Sequence, residues 1–184
     1  MNFFTELYNL IESHNLWDTS ISLKRNELLC SAGKKETHLY FVLSGSLKIY
    51  ILDDDEEHII RFGYQNNFIT ALDSFISGRP TDFYIQALKK TEIKAITKDD
   101  YFSLITNNLK YKQLWDTILE QFILQQIERE KDILIRSPQK RYQRVLTRSP
   151  QLFQEIPHKH IAKYLRMSPE TLSRIKNLDL NQDL

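Results

Sequence analysis

Ile156-Pro157-His158-Lys159-His160-Ile161-Ala162-Lys163-Tyr164-Leu165-Arg166-Met167-Ser168-Pro169-Glu170-Thr171-Leu172-Ser173-Arg174-Ile175 reads as two short helices joined by a tight turn. Ile161, Ala162 and Leu165 form the buried face of the first helix, at the spacing of residues that share a helix face. Met167 fills the turn. Ser168 caps the second helix and Pro169 takes its first position, because a Ser oxygen satisfies a free first-turn N–H and proline lacks the N–H that would go unbonded there. Leu172 and Ile175 are the buried face of the second helix. This is the layout of a helix-turn-helix, which lowers its second helix into the major groove of DNA.

The charge distribution points to the same class of partner. Residues 1–136 hold 16 Lys and Arg against 20 Asp and Glu, a net −4, whereas residues 137–184 hold 9 against 4, a net +5. A basic segment on an acidic body marks where a polyanion docks; a solvated charged surface is the other reading of the same residues. With 184 residues, 41% hydrophobic and 27% charged, the chain is globular, of one large or two small domains. It has no run of about 18 apolar residues that would span a membrane. Its first residues lack the basic and apolar regions of a signal peptide, so the cytoplasm is the expected compartment and no membrane partner is expected. The single cysteine, Cys30, excludes an internal disulfide and a cysteine-ligated cluster or zinc finger within one chain.

Upstream of the basic segment, Ser137-Pro138 ends a long helical stretch over about 108–135, and the next helix begins over 141–146. In the long stretch, Leu114, Ile118 and Phe122 recur with Trp115 and Leu119 at three- and four-residue spacing, and Ile123, Leu124 and Ile127 widen the apolar surface beyond one stripe. A helix of roughly 28 residues would be about 42 Å long, more than a small β-domain covers. The excess apolar surface calls for a second copy of the same helix; packing on its own domain is the alternative. Residues 21–97 read as short strands separated by turn signals, an antiparallel barrel or jelly roll, preceded by an amphipathic helix over 2–14 with Phe3, Leu7, Leu10 and Ile11 on one face. The acidic knot Asp53-Asp54-Asp55-Glu56-Glu57 reads as a hairpin loop, since its spacing does not match the alternating oxygen ligands of a calcium loop. Asp99 reads as the cap of a helix opening at Thr97-Lys98-Asp99-Asp100.

The fold class expected is therefore α+β: an N-terminal antiparallel β-roll over 1–107, a long dimerisation helix over 108–136 and an all-α helix-turn-helix domain over 137–184. That order, together with Gly33, Leu43-Ser44-Gly45-Ser46, Ser77-Gly78-Arg79-Pro80 and Ser168-Pro169-Glu170-Thr171-Leu172-Ser173-Arg174, resembles the Crp/Fnr family of bacterial transcription regulators, and Ser137-Pro138-Gln139-Lys140-Arg141-Tyr142 resembles its Bacteroidetes-type members. The resemblance implies a cyclic-nucleotide-binding-like roll, a homodimer on a pseudo-palindromic double-stranded DNA site, and RNA polymerase as a further partner. It places Glu170 and Arg174 at base-reading positions, where Arg pairs with guanine O6 and N7 and Glu accepts from cytosine N4; an ion pair between the two is compatible with that. Ser168 and Thr171 are implied phosphate contacts, and Lys163, Arg166 and Lys176 are further phosphate candidates or plain solvated charges. Pro169 departs from members with a basic residue there, so one base contact is expected to be missing.

Family members that bind cyclic AMP use a phosphate cassette with a Gly-Glu pair, a Ser-Gly turn, and an Arg that neutralises the phosphate. Aligned on Ser77-Gly78-Arg79-Pro80, the Gly-Glu positions hold Ala71 and Leu72, and the Arg-Ser positions hold Thr81 and Asp82. The Glu is lost, and an acid follows where the Arg is replaced. With Asp73 and Arg79, these residues form the candidate effector pocket. The expectation is no tight cyclic nucleotide binding, no cofactor, and an apolar or small unidentified effector, or none. His14, His38 and His58 read as surface or pairing residues rather than haem ligands. No metal cluster, phosphate loop or nucleophile motif supports an enzyme. A sensor module that has lost specific DNA binding is the second reading, because the residues after Ile175 include two acids and leave no room for a wing hairpin.

Overall fold

The strand His38–Ser44 is apolar on both faces and is buried on both, with Tyr40 and Val42 packed between two sheets and Leu39 and Phe41 packed under helices. The computed structural model describes residues 3–180; residues 1–2 and 181–184, which include the end of the acidic tail, lie outside the described residues. In chain order the elements are α1 (Phe3–Ser13), β1 (Thr19–Leu23), β2 (Leu28–Cys30), β3 (His38–Ser44), β4 (Ser46–Asp53), β5 (Glu56–Tyr64), β6 (Phe68–Ile69), α2 (Leu72–Ser77), β7 (Tyr84–Ala87), β8 (Thr91–Thr97), α3 (Lys98–Thr106), α4 (Leu109–Leu134), α5 (Pro138–Arg148), α6 (Pro150–Glu155), α7 (His158–Tyr164) and α8 (Pro169–Leu180). The strands form two antiparallel four-stranded sheets in the orders β1-β8-β3-β6 and β2-β7-β4-β5. This is the expected antiparallel roll, followed by a long helix and C-terminal helices. No helix among the described residues is long and apolar enough to cross a membrane.

Side chains between the sheets, including Val42, Leu47, Ile85, Ala87, Ile93 and Ala95, are fully buried. Cys30 joins this core; burial, reinforced by the Glu36 carboxylate, pushes its thiol up to about 12. The outer face of the first sheet is covered by α1, α3 and α4, through Leu7, Ile11, Tyr101, Trp115 and Ile118. The outer face of the second sheet is covered by the C-terminal helices: Tyr50, Ile59, Phe62 and Leu88 share one cluster with Tyr142, Val145, Ile161, Leu165, Leu172 and Ile175.

Local sequence sets the element ends. Asp54 and Asp55 both adopt left-handed conformations in the two-residue turn between β4 and β5, so the acidic knot is a tight hairpin. Thr97, not the expected Asp99, caps α3 by accepting from the Asp100 N–H at 3.1 Å, which leaves Asp99 in the first turn. Asn108 caps α4, accepting from Lys110 at 2.9 Å. Ser137 caps α5, which starts at Pro138 rather than at 141. The Ser168 oxygen accepts from the Thr171 N–H at 3.2 Å, as the sequence requires for a Ser-Pro helix start.

Two polar clusters fasten the C-terminal helices to α4. The Asp132 carboxylate, fully buried, accepts from Arg144 Nε at 2.9 Å and from Arg148 Nη2 at 2.5 Å, both on α5. Arg141 donates Nε to the Leu165 carbonyl at 2.8 Å, Nη1 to those of Ile135 at 2.6 Å and Arg136 at 3.3 Å, and Nη2 to that of Arg166 at 3.0 Å. One guanidinium thus satisfies both the α4–α5 linker and the turn between α7 and α8, where Arg166 holds a left-handed φ of 51°. The C-terminal helices also dock on the roll: the Tyr164 and Phe62 rings lie 5.4 Å apart, and ion pairs join Lys89 to Glu155 at 3.0 Å and Lys163 to Glu57 at 3.6 Å.

Gly45 alone links β3 to β4, at a φ of +94°, and a Cβ there would meet Thr91 and come within 2.5 Å of the Lys90 carbonyl oxygen. Gly45→Ala should therefore destabilise the fold by about 3 kcal/mol, read as a lowered urea midpoint. At the docked face, burial and the neighbouring Lys48 depress the His160 pKa to about 4. Between its ordinary value near 6.5 and 4, the unfolded chain takes up a proton that the folded chain refuses. Stability contributed by neutral His160 is then complete above pH 6.5 and is lost as pH falls toward 4. Urea midpoints at pH 7 and pH 4.5 should converge in His160→Gln relative to the parent.

Candidate nucleic-acid interface and effector cavity

The helix α8 is anchored by Leu172 and Ile175, both buried, and turns Glu170, Ser173 and Arg174 to solvent. Hydrogen bonds from its own backbone N–H and from the Ser168 hydroxyl hold Glu170 below the usual carboxylate range, so it stays an acceptor. No ion pair joins Glu170 to Arg174 among the described residues. Both side chains are exposed on one face of the helix. Ser168 is exposed and Thr171 half-buried, their hydroxyls 3.2 Å apart.

The other three cations expected on phosphates are placed differently. Lys176 reaches back to His158 Nε2 at 2.7 Å. Lys163, itself exposed, pairs with Glu57 of the roll, and with the exposed Arg166 it lines a cavity beneath α7.

That cavity, of about 650 Å³, lies where the roll, α4 and α7 meet. Its walls are mainly apolar, with Leu39, Ile49, Ile59, Phe68, Ile69 and Phe83 from the roll and Trp115, Ile118 and Phe122 from α4. Of the residues aligned with the phosphate cassette, Leu72 and Asp73 line it, and Ala71 is buried beside it. Thr81 is buried, donating to both Asp73 oxygens at 2.8 and 2.9 Å and accepting from the Phe83 N–H at 3.0 Å. Arg79 and Asp82 are exposed and lie outside the cavity walls. Thr81 and Asp73 are thus bonded to each other, with Arg79 outside the cavity walls.

Two further cations, which the sequence reading did not single out, line the cavity beside Lys163 and Arg166: Arg61 and Arg129. Arg129 is 7% exposed, its guanidinium 3.8 Å from the Tyr164 ring centroid, and its Nη1 has no hydrogen-bond partner. Arg61 lies 4.6 Å from the Phe122 ring centroid. The signal available in the sequence was an Arg within the apolar strand His58-Ile59-Ile60-Arg61-Phe62, and another on the apolar flank of a long helix. Among the described residues no group of three or more His, Cys, Asp or Glu is placed to hold a metal ion. On its solvent side α4 exposes Ile123, Leu124, Ile127 and Leu134, each 42–80% accessible.

Comparison with known proteins agrees with this geometry. Residues 20–108 match the family model described as the cyclic nucleotide-binding domain. No curated protein sequence matches the chain. Among solved structures, FixK2 from Bradyrhizobium japonicum superposes with a TM-score of 0.74 at 16% identity, over 90% of this chain and 85% of that one. The c-di-GMP-responsive global regulator CLP of Xanthomonas campestris gives 0.68 at 16% identity, over 95% and 93%. The Thermus thermophilus catabolite activator protein gives 0.57 at 18% identity, over 97% and 84%. Residues 20–108 thus match the cyclic nucleotide-binding domain model, and the chain as a whole shares the fold of these three solved structures.

Proposed function

We propose that the protein is a DNA-binding transcription regulator of the Crp/Fnr type. It acts as a homodimer joined along α4 and reads a pseudo-palindromic operator with a pair of α8 helices, with RNA polymerase as a further partner. The observation that carries this reading is the exposed face of α8. Glu170 and Arg174 stand on it without pairing to each other, above a buried Leu172 and Ile175. Arg supplies two parallel donors to guanine and Glu an acceptor for cytosine N4. The apolar solvent face of α4 supports the dimer, since a second copy of the same helix would cover Ile123, Leu124 and Ile127.

Arg141 and Asp132 supply the mechanical link. Because they tie α5 and the α7–α8 turn to the end of α4, a shift of α4 in the dimer moves both recognition helices and changes their spacing on DNA. An effector in the roll controls that shift only as far as it binds the two arrangements with different affinity. The bond between Thr81 and Asp73, with Arg79 outside the cavity walls, favours an effector other than a tightly held cyclic nucleotide. A second reading, a sensor module without specific DNA binding, draws support from Lys163 and Lys176, which are engaged by Glu57 and His158.

Selection on randomised duplex DNA, read by fluorescence anisotropy over a salt series, separates the two. The regulator enriches a two-fold symmetric site, and Glu170→Ala with Arg174→Ala weakens it by at least about tenfold. Weak binding without sequence preference, equal in both proteins, supports the sensor module instead. Sedimentation equilibrium checks the dimer: Ile127→Asp should raise its dissociation constant at least about tenfold, because a charge would be buried at the seam.

A further inference from the structure

The cavity between the roll, α4 and α7 combines apolar walls with an excess of positive charge. Besides Arg61 and Arg129 it is lined by Lys163 and Arg166, and its only acid, Asp73, is taken by the Thr81 hydroxyl. Lys163 has Glu57 within 3.6 Å. Arg129 has no such acid bonded to it: its Nη1 is buried without an acceptor, and its guanidinium rests on the Tyr164 ring. Arg61 rests likewise on Phe122. A smaller cavity of about 250 Å³ alongside is lined by the same two arginines, with Phe122 and Gln126. Burial pushes both guanidinium groups down from their ordinary range, yet arginine does not give up its proton. A charged donor left buried and unbonded is costly until an anion reaches it.

We infer that this cavity takes an amphipathic monoanion, a carboxylate on an extended apolar body, with its head at Arg129 and Arg61 and its body along Ile49, Ile59, Trp115 and Ile118. A carboxylate matches the planar fork of a guanidinium. The volume lies within the range of sites that bury most of a small organic ligand. The head group would sit on side chains from three bodies: Arg61 from β5, Arg129 from α4, and Tyr164 of α7 beneath Arg129. Occupancy therefore stiffens the junction between the roll and the helix-turn-helix. This deepens the reading of the cavity as the effector site of a regulator, and it rests on that reading for its consequence on DNA.

The test is isothermal titration calorimetry of the full chain without DNA, with Trp115 fluorescence as a second readout. The probes are straight-chain carboxylates of eight to fourteen carbons, the matching alcohols, and cyclic AMP. Carboxylate affinity should rise with chain length, and each carboxylate should bind at least about tenfold more tightly than its alcohol. Arg129→Gln should remove that difference while leaving alcohol affinity unchanged, which also reports intact apolar walls. Arg61→Gln should narrow the difference. The inference is overturned by equal affinity of acids and alcohols, by a difference that survives both substitutions, by cyclic AMP binding more tightly than every carboxylate, or by no carboxylate binding below about 1 mM. Because no DNA is present, a failed operator selection leaves a positive titration standing, and a failed titration leaves the operator selection standing.

Discussion

Arg141 is the interaction on which the C-terminal half depends. Its fork reaches four carbonyl oxygens, two from the linker after α4 and two from the turn between α7 and α8. Those carbonyls belong to segments without regular partners, and an unbonded buried carbonyl costs about 1–3 kcal/mol. A single side chain therefore fixes where the long helix ends and how the last two helices cross. Lysine, with three donors on one point, cannot span the same four acceptors. Asp132 works beside it, drawing Arg144 and Arg148 of α5 onto the buried side of α4.

The rest of the architecture follows from a roll that leaves neither sheet bare. The first sheet is capped by α1, α3 and α4, and the second by the C-terminal helices through Phe62, Tyr164 and Ile161. Three bodies with their own internal packing meet at one place, and irregular surfaces that meet there leave the cavity lined by Arg61 and Arg129. The same crowding keeps His160 neutral, because its ring lies against the roll beside Lys48, Lys159 and Lys163.

Much of this was legible in the sequence because it is written in local chemistry. The span of α4 followed from Asn108 and from Ser137-Pro138, and the two short helices followed from Ser168-Pro169 and the spacing of Ile161, Leu165, Leu172 and Ile175. The strands of the roll followed from β-branched runs between turn residues. What was missed depends on tertiary contact. Asp99 has the composition of a cap, but the helix begins two residues earlier, so Thr97 has the extended backbone a cap needs. The pairing of Lys163 with Glu57 was not legible either, because only the docking of α7 on β5 brings the two together. Arg61 and Arg129 lie 68 positions apart, on a strand and a helix, and no spacing rule links them; only the fold brings them to the same cavity.

Cys30 sits in the core between the sheets, its thiol pushed up to about 12 by burial and by Glu36. At neutral pH such a thiol stays protonated, and the thiolate is the form that peroxide, disulfides and alkylating reagents attack. The one sulfhydryl in this chain is therefore chemically silent while the roll is folded. Oxidants have no handle on the protein through cysteine, and the rate at which a thiol reagent labels it becomes a clock for the opening of the roll.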